Sequence, residues 1–232
     1  MVNHGLNMNA PPAKREREEV GVSLGSVVDA AGDLGLAALF LVSWLAPGDA
    51  LALPLRVLLL TMLLEFIVVH STGFMGMAAL SPGSSSRRAQ TILGLGLLYT
   101  LFVAGFALGF RTWSPLIAFW GLTLNRSLGV LLTSPPAGRE ELQMRKGWAA
   151  VTMTYLLAVG VTTVLPVPAF GITRAVVSAA DLPSSGLWVS EPYRVAAAGV
   201  LHFGLSGLSA LWGHRWISDR SIPRGSETRR SR

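Results

Sequence analysis

Residues 54–80 read PLRVLLLTMLLEFIVVHSTGFMGMAAL, and this stretch decides the fold class. Arg56, Glu65 and His70 are the ionisable residues in an otherwise apolar or weakly polar run. A helix needs about 20 mostly apolar residues to cross roughly 30 Å of hydrocarbon. The stretch is therefore long enough to span a membrane, and the sequence predicts a transmembrane helix here.

Five further stretches are also apolar and long enough to span a membrane, namely 26–46, 89–110, 113–134, 148–168 and 194–216. Breaks such as Ser81-Pro82-Gly83 and Ser134-Pro135-Pro136 separate them, because proline and glycine end helices. We therefore predict an all-α, polytopic helical membrane protein with about six transmembrane helices and short loops. The predicted transmembrane domain covers 26–216.

The composition agrees with a chain that is surrounded by lipid. Apolar residues make up 51% of the 232 residues and charged residues only 14%, whereas soluble domains carry about 25% charged residues. The mean hydropathy is +0.50. The sequence has no cysteine, which excludes disulfides, thiolate catalysis and thiolate-ligated iron–sulfur clusters.

The basic residues predict the orientation. They cluster in the polar segment 1–25, in the loops around Arg87 and Arg139, and in the segment 217–232. Loops rich in Lys and Arg stay on the cytoplasmic side of a membrane. We therefore predict a multi-pass protein of the plasma (inner) membrane with both termini cytoplasmic. The segment 1–25 is predicted to be a disordered tail, and the basic tail 217–232 is predicted to lie on anionic lipids. The net charge of +6 does not indicate a nucleic-acid partner, since no aromatic or groove-reading element accompanies it.

Two residues of opposite charge fall near the predicted midplane of the membrane. Counted from the outer ends of their spans at about 1.5 Å per residue, Glu65 and Arg126 have similar depths. Charges in hydrocarbon are costly and usually meet a partner or water. We therefore predict a buried Glu65–Arg126 ion pair, with Asn125 bonding across helices. The alternative is that each charge is solvated separately in a polar cleft.

Two aspartates lie at the predicted inner end of the first span. Asp29 and Asp33 are one helical turn apart and therefore share a face. One interpretation is the mouth of a proton or cation path. The other is an acidic first turn in the headgroup region, because carboxylates suit a helix N-terminus.

Two histidines also lie within predicted spans. His202 belongs to a helical stripe of small residues, among them Gly199 and Ser206, that suits close helix packing. His70 lies on a different face of its helix from Glu65. The functional interpretation is contact with a haem, a pigment or a quinone, and the structural interpretation is a hydrogen-bonded packing histidine. The depths of the two histidines differ by about 12 Å, which argues against one shared iron. The spacing of Glu65 and His70 also argues against a metal site.

The sequence carries no catalytic signature, because it has no phosphate-binding glycine loop, no His-Glu-x-x-His and no Gly-x-Ser-x-Gly. Our first interpretation is a non-enzymatic integral membrane protein, an accessory or assembly subunit that binds other membrane subunits of a larger complex. The second is a small proton-coupled transporter that uses Asp33, Glu65 and Arg126. The third is a cofactor-binding membrane protein that uses His70 and His202. The substrate and any cofactor stay open.

Overall fold

The computed structural model describes residues 24–182 and 186–217, and these residues form helices without any strand. The helices are α1 (Leu24–Leu45), α2 (Leu55–Leu80), α3 (Ser85–Gly109), α4 (Ser114–Leu132), α5 (Arg139–Val164), α6 (Arg174–Ala179), α7 (Leu187–Ser190) and α8 (Pro192–Leu211). The prediction of an all-α, polytopic helical membrane protein is confirmed. The predicted tails 1–25 and 217–232 lie almost entirely outside the described residues.

Five helices, α2, α3, α4, α5 and α8, are long and apolar enough to cross a membrane. The apolar part of α1, Ala30–Leu45, is shorter than these. It nevertheless runs antiparallel along α8, because Leu34 lies against Gly207 while Phe40 lies against Gly199. The helix predicted as the first span therefore packs in the bundle as a sixth helix beside the five candidate spans.

The two largest apolar cores among the described residues both include side chains of α2. The first half of α2, from Leu55 to Met62, packs in a core with α1, α5 and α8. The second half, from Ile67 to Ala78, packs in a core with α3 and α4. Large apolar side chains of the other helix faces are exposed, as expected where lipid is the outer solvent. Glu65 lies at the point where α2 passes from one core to the other.

Local chemistry explains the helix ends. The Ser84 side chain accepts a hydrogen bond from the Arg87 backbone N–H and so caps α3. The start of α5 lies before the predicted span, at Arg139, because Glu140 and Glu141 stabilise its first turn and Arg145 pairs with Glu141 at 2.7 Å. This charged first part of α5 lies where the sequence predicts a loop.

The chain turns sharply after α8, which ends at Leu211 rather than at residue 216. Gly213 and His214 both have left-handed backbone angles, with φ of 59° and 54°. The Trp216 indole N–H donates to Ser209 Oγ at 2.6 Å, and Ser209 Oγ lies 2.8 Å from His214 Nδ1. Burial and the nearby charge of Lys146 hold the pKa of His214 below its usual range. The turn is therefore built around a neutral imidazole.

Candidate functional site

A carboxylate and an imidazole meet between α2 and α8. His202 Nε2 lies 3.4 Å from Glu65 Oε1. The side chain of His202 is 1% exposed and that of Glu65 is 22% exposed. Titratable groups placed together within a helical bundle are candidates for a functional site.

Two hydroxyl groups lie on the other side of the imidazole. Thr154 Oγ1, from α5, is 3.2 Å from His202 Nδ1 and 2.9 Å from Ser206 Oγ. Both hydroxyl residues are buried. Each ring nitrogen of His202 therefore has a polar neighbour, and the cluster joins α2, α5 and α8.

The hydrogen-bond geometry allows two patterns that differ by one proton. Thr154 Oγ1 also lies 3.0 Å from the Val151 carbonyl oxygen, and a hydroxyl has only one hydrogen to donate. If Thr154 donates to Val151, then His202 Nδ1–H donates to Thr154, and the contact with Glu65 needs a further proton on the imidazole or the carboxyl. If Thr154 turns and donates to Nδ1, a neutral imidazole donates from Nε2 to the carboxylate. The two patterns therefore differ by one proton at the contact between Glu65 and His202 and by the rotation of the Thr154 hydroxyl.

Aromatic rings surround this cluster and hold the imidazole in place. The Tyr155 ring stands edge-on to His202, with centroids 5.3 Å apart and an interplanar angle of 82°. Its hydroxyl donates to the Met62 carbonyl oxygen at 3.0 Å, which fixes α5 against α2. The Phe203 ring lies 4.8 Å from His202 on another side. These contacts shield the buried imidazole from lipid and fix its orientation.

Arg126 has other partners than the predicted one. Its guanidinium donates to Thr72 Oγ1 at 2.5 Å and contacts Met75 Sδ at 3.7 Å. Within residues 24–182 and 186–217, no ion pair joins it to Glu65, which contacts His202 instead. The reason is that α4 meets α2 at Thr72, about 10 Å further along the axis than Glu65. The predicted Glu65–Arg126 pair is therefore not brought together.

The remaining candidate residues are dispersed. Asn125 is exposed on α4, and Asp33 is half-buried on α1, where it has an interaction partner. Asp29 belongs to α1, but its side chain lies outside the described residues. His70 is exposed on α2 and does not join His202. No group of three or more His, Asp or Glu side chains among the described residues is arranged to hold a metal ion.

Sequence reasoning missed the hydroxyl and aromatic members of the cluster. No sequence pattern singles out Thr154 or Tyr155, whereas Ser206 shares the small-residue stripe with His202. The predicted depth in the membrane is one signal that could have paired Glu65 with His202. Glu65 and His202 lie about twelve and nine residues from the predicted outer ends of their spans, which is a difference of only about 4.5 Å. Depth alone does not show which helices are neighbours.

Comparison with known proteins does not assign this site. No protein-family model matches the chain, no curated protein matches its sequence, and no solved structure matches its fold. A functional assignment therefore depends on the geometry of the described residues.

Proposed function

We propose that this membrane protein is a small proton-coupled carrier whose proton-binding centre is the Glu65–His202 pair. The 3.4 Å contact between Glu65 Oε1 and His202 Nε2 carries the proposal. A carboxylate oxygen accepts and an imidazole N–H donates, so these two groups can hold one proton between them across the contact. Glu65 is one of the residues predicted for a transporter, and its partner is His202 instead of Arg126.

Position within the fold supports a coupled movement. Glu65 lies where α2 leaves the core with α1, α5 and α8 and enters the core with α3 and α4. A change of charge at this position alters the attraction between α2 and α8 at the point where α2 links the two cores. Ionisable residues inside helical bundles mark proton relays and ion paths in many pumps and transporters.

Single-cysteine labelling tests this proposal, and the absence of native cysteine makes it clean. Thr61→Cys and Gly73→Cys place a thiol on either side of Glu65 along α2, and a side chain at Gly73 meets nothing within 4 Å. In a carrier, a membrane-impermeant thiol reagent labels the two positions from opposite sides of the membrane. We expect lower pH to shift labelling several-fold from one position to the other.

Variants of the pair complete the test. Glu65→Gln and His202→Gln are expected to abolish the pH response, whereas His70→Gln, which removes an exposed imidazole, is expected to keep it. Protection of both thiols at every pH would show that the cluster only packs helices. A pH response that survives Glu65→Gln would remove the carboxylate from the proton-binding centre.

A second candidate function follows from the surroundings of His70. Its exposed ring lies 5.7 Å from the Phe66 ring, 5.3 Å from the Phe74 ring and 6.1 Å from the Tyr99 ring. An imidazole on a lipid-facing surface is costly unless a partner covers it. We propose on this basis that the protein is an accessory subunit of a larger membrane complex, with another membrane subunit seated on these rings.

Purification in a mild detergent separates this candidate from a pigment- or haem-binding protein. A partner that co-purifies with wild type and is lost from His70→Ala supports a subunit role. Visible absorbance that disappears with His70→Ala supports a cofactor ligated by His70, because both nitrogens of His202 already have polar neighbours. A colourless, partner-free protein contradicts both.

We also propose a plasma (inner) membrane location with cytoplasmic termini and a basic tail, 217–232, on anionic lipid. The distribution of arginine and lysine supports this orientation. A reporter fused after Arg232 is expected to be active only in the cytoplasm. Reporter activity on the other side of the membrane would show that every helix has the opposite orientation to the one proposed.

A further inference from the structure

A second polar site lies away from the Glu65–His202 pair, in a cavity of about 300 Å³ between α2, α3, α4 and α5. Its lining includes Arg88, Arg126, Thr72, Thr133 and Trp148. None of the lining residues is Asp or Glu. The cavity is therefore positively charged and has a size at the lower end of the range for small-molecule sites.

Arg88 is buried without full hydrogen bonding. It is 5% exposed, and its Nη1 donates to the Ala79 carbonyl oxygen at 3.0 Å. Its Nε has no hydrogen-bond partner among the residues that the structure describes. A buried N–H of a charged group that lacks an acceptor is costly, so this donor indicates an acceptor that residues 24–182 and 186–217 do not supply.

Arg126 is the second cation of the cavity. Its contacts are the Thr72 hydroxyl and the Met75 thioether, which is a weak acceptor. Over residues 24–182 and 186–217, neither Arg88 nor Arg126 forms an ion pair with a carboxylate. Two guanidinium groups in a mostly apolar cavity, with no carboxylate in its lining, favour an oxyanion from outside the chain.

We propose that this cavity binds the phosphate group of an anionic membrane lipid. Guanidinium groups match the geometry of phosphate oxygens, and basic pockets between transmembrane helices bind anionic headgroups. Most of the other lining residues, such as Met75, Ile92 and Val130, are apolar and suit the adjoining part of a lipid rather than a free ion. The cavity also reaches the loop after α4 at Pro135 and Pro136, where headgroups lie if α4 spans the membrane.

Thermal unfolding of the full chain in detergent tests the proposal. The probes are dioctanoyl phosphatidylglycerol, dioctanoyl phosphatidylcholine and inorganic phosphate at matched ionic strength. We expect the phosphatidylglycerol to raise Tm by several degrees in a saturable manner, and the other two probes to leave Tm unchanged. Stabilisation by inorganic phosphate alone would overturn the lipid as the source of the oxyanion. Equal stabilisation by phosphatidylcholine would overturn the role of lipid charge.

Variants connect the response to the cavity. Arg88→Gln and Arg126→Gln are each expected to weaken the apparent Kd about tenfold, the equivalent of one charge-assisted hydrogen bond. Arg87→Gln is the matched control, because Arg87 is the exposed neighbour of Arg88 and does not line the cavity. An unchanged Kd in both arginine variants would overturn the site.

A third variant keeps the test decisive if removal of an arginine prevents folding. Gly129 lines the cavity, and a side chain at this position meets nothing within 4 Å. Gly129→Leu therefore fills the space while both guanidinium groups remain. We expect it to fold, to unfold at the wild-type temperature without lipid, and to lose the response to phosphatidylglycerol. A retained response would place the lipid elsewhere.

Discussion

Gly199→Ala tests the contact that holds α8, and with it His202, against α1. A Cβ at Gly199 would lie 2.0 Å from Phe40 Cδ1 and 2.3 Å from Cε1. Carbon atoms prefer separations of about 3.5 to 4.0 Å, so the ring or the helix must retreat by about 1.5 Å. Phe40 is fully buried and packs against the Phe203 ring at 5.5 Å, so it has little room to move.

The expected cost follows from this overlap. Overpacking a filled core costs about 1 to 3 kcal/mol, and we expect the upper part of this range because the close atoms belong to a rigid ring. Van der Waals packing is a main force that holds helices together in a membrane. The measurement is reversible unfolding of the purified protein in mixed detergent micelles. Gly105→Ala is the control, because a side chain at Gly105 meets nothing within 4 Å.

A double mutant distinguishes this overlap from a general effect on the helix. Phe40→Ala alone removes a buried ring, with an expected cost of about 3 to 5 kcal/mol. In the double variant, the methyl group at position 199 occupies space that the ring has left, so the total is expected to fall below the sum by about 1 kcal/mol or more. Effects that add, or a Gly199→Ala variant as stable as wild type, would refute the proposed packing of α1 on α8.

Three further predictions concern other contacts. Burial lowers the pKa of His214 in the folded turn, so the unfolded turn takes up a proton first as pH falls, and the stability that the neutral imidazole gives the turn is present above about pH 6.5 and lost below it. Trp216 fluorescence should report this loss as a shift that is absent in His214→Gln. Gly76→Ala places a methyl group 2.1 Å from Trp148 Cη2 and should cost about 1 to 3 kcal/mol, measured by thermal unfolding against Gly94→Ala. Arg194→Gln removes a cation that donates to the last carbonyl groups of α5 and should lower the unfolding free energy in thermal unfolding, with wild-type stability as the contrary result.

The helices were predictable because each local signal acts over one short segment. Hydropathy marks the apolar stretches, and proline and glycine mark their ends, as in the break at Ser81-Pro82-Gly83 between α2 and α3. The start of α5 was missed because its first turns are charged, and hydropathy detects only the apolar part of a helix. Arg88 was likewise predicted as a loop residue, although it lies in the first turns of α3 and is buried.

The neighbours of each helix were not predictable by the same reasoning. Lipid is as apolar as leucine, so hydrophobicity does not select which helices meet. The predicted depth of Glu65 in the membrane did not distinguish α4 from α8 as the helix that carries its partner. The small-residue stripe around Gly199 and Ser206 did predict that α8 packs closely, and both residues are buried.

The arrangement of α2 relates the two proposed sites to each other. Glu65 contacts α8, and Thr72, two turns further on nearly the same face, contacts Arg126 of α4. A change in the tilt of α2 therefore cannot alter one contact without moving the other. If Glu65 controls this tilt through its protonation, the affinity of the arginine cavity for lipid phosphate must depend on pH in wild type and lose that dependence in Glu65→Gln. A cavity affinity with the same pH dependence in both proteins would show that α2 holds the two sites independently.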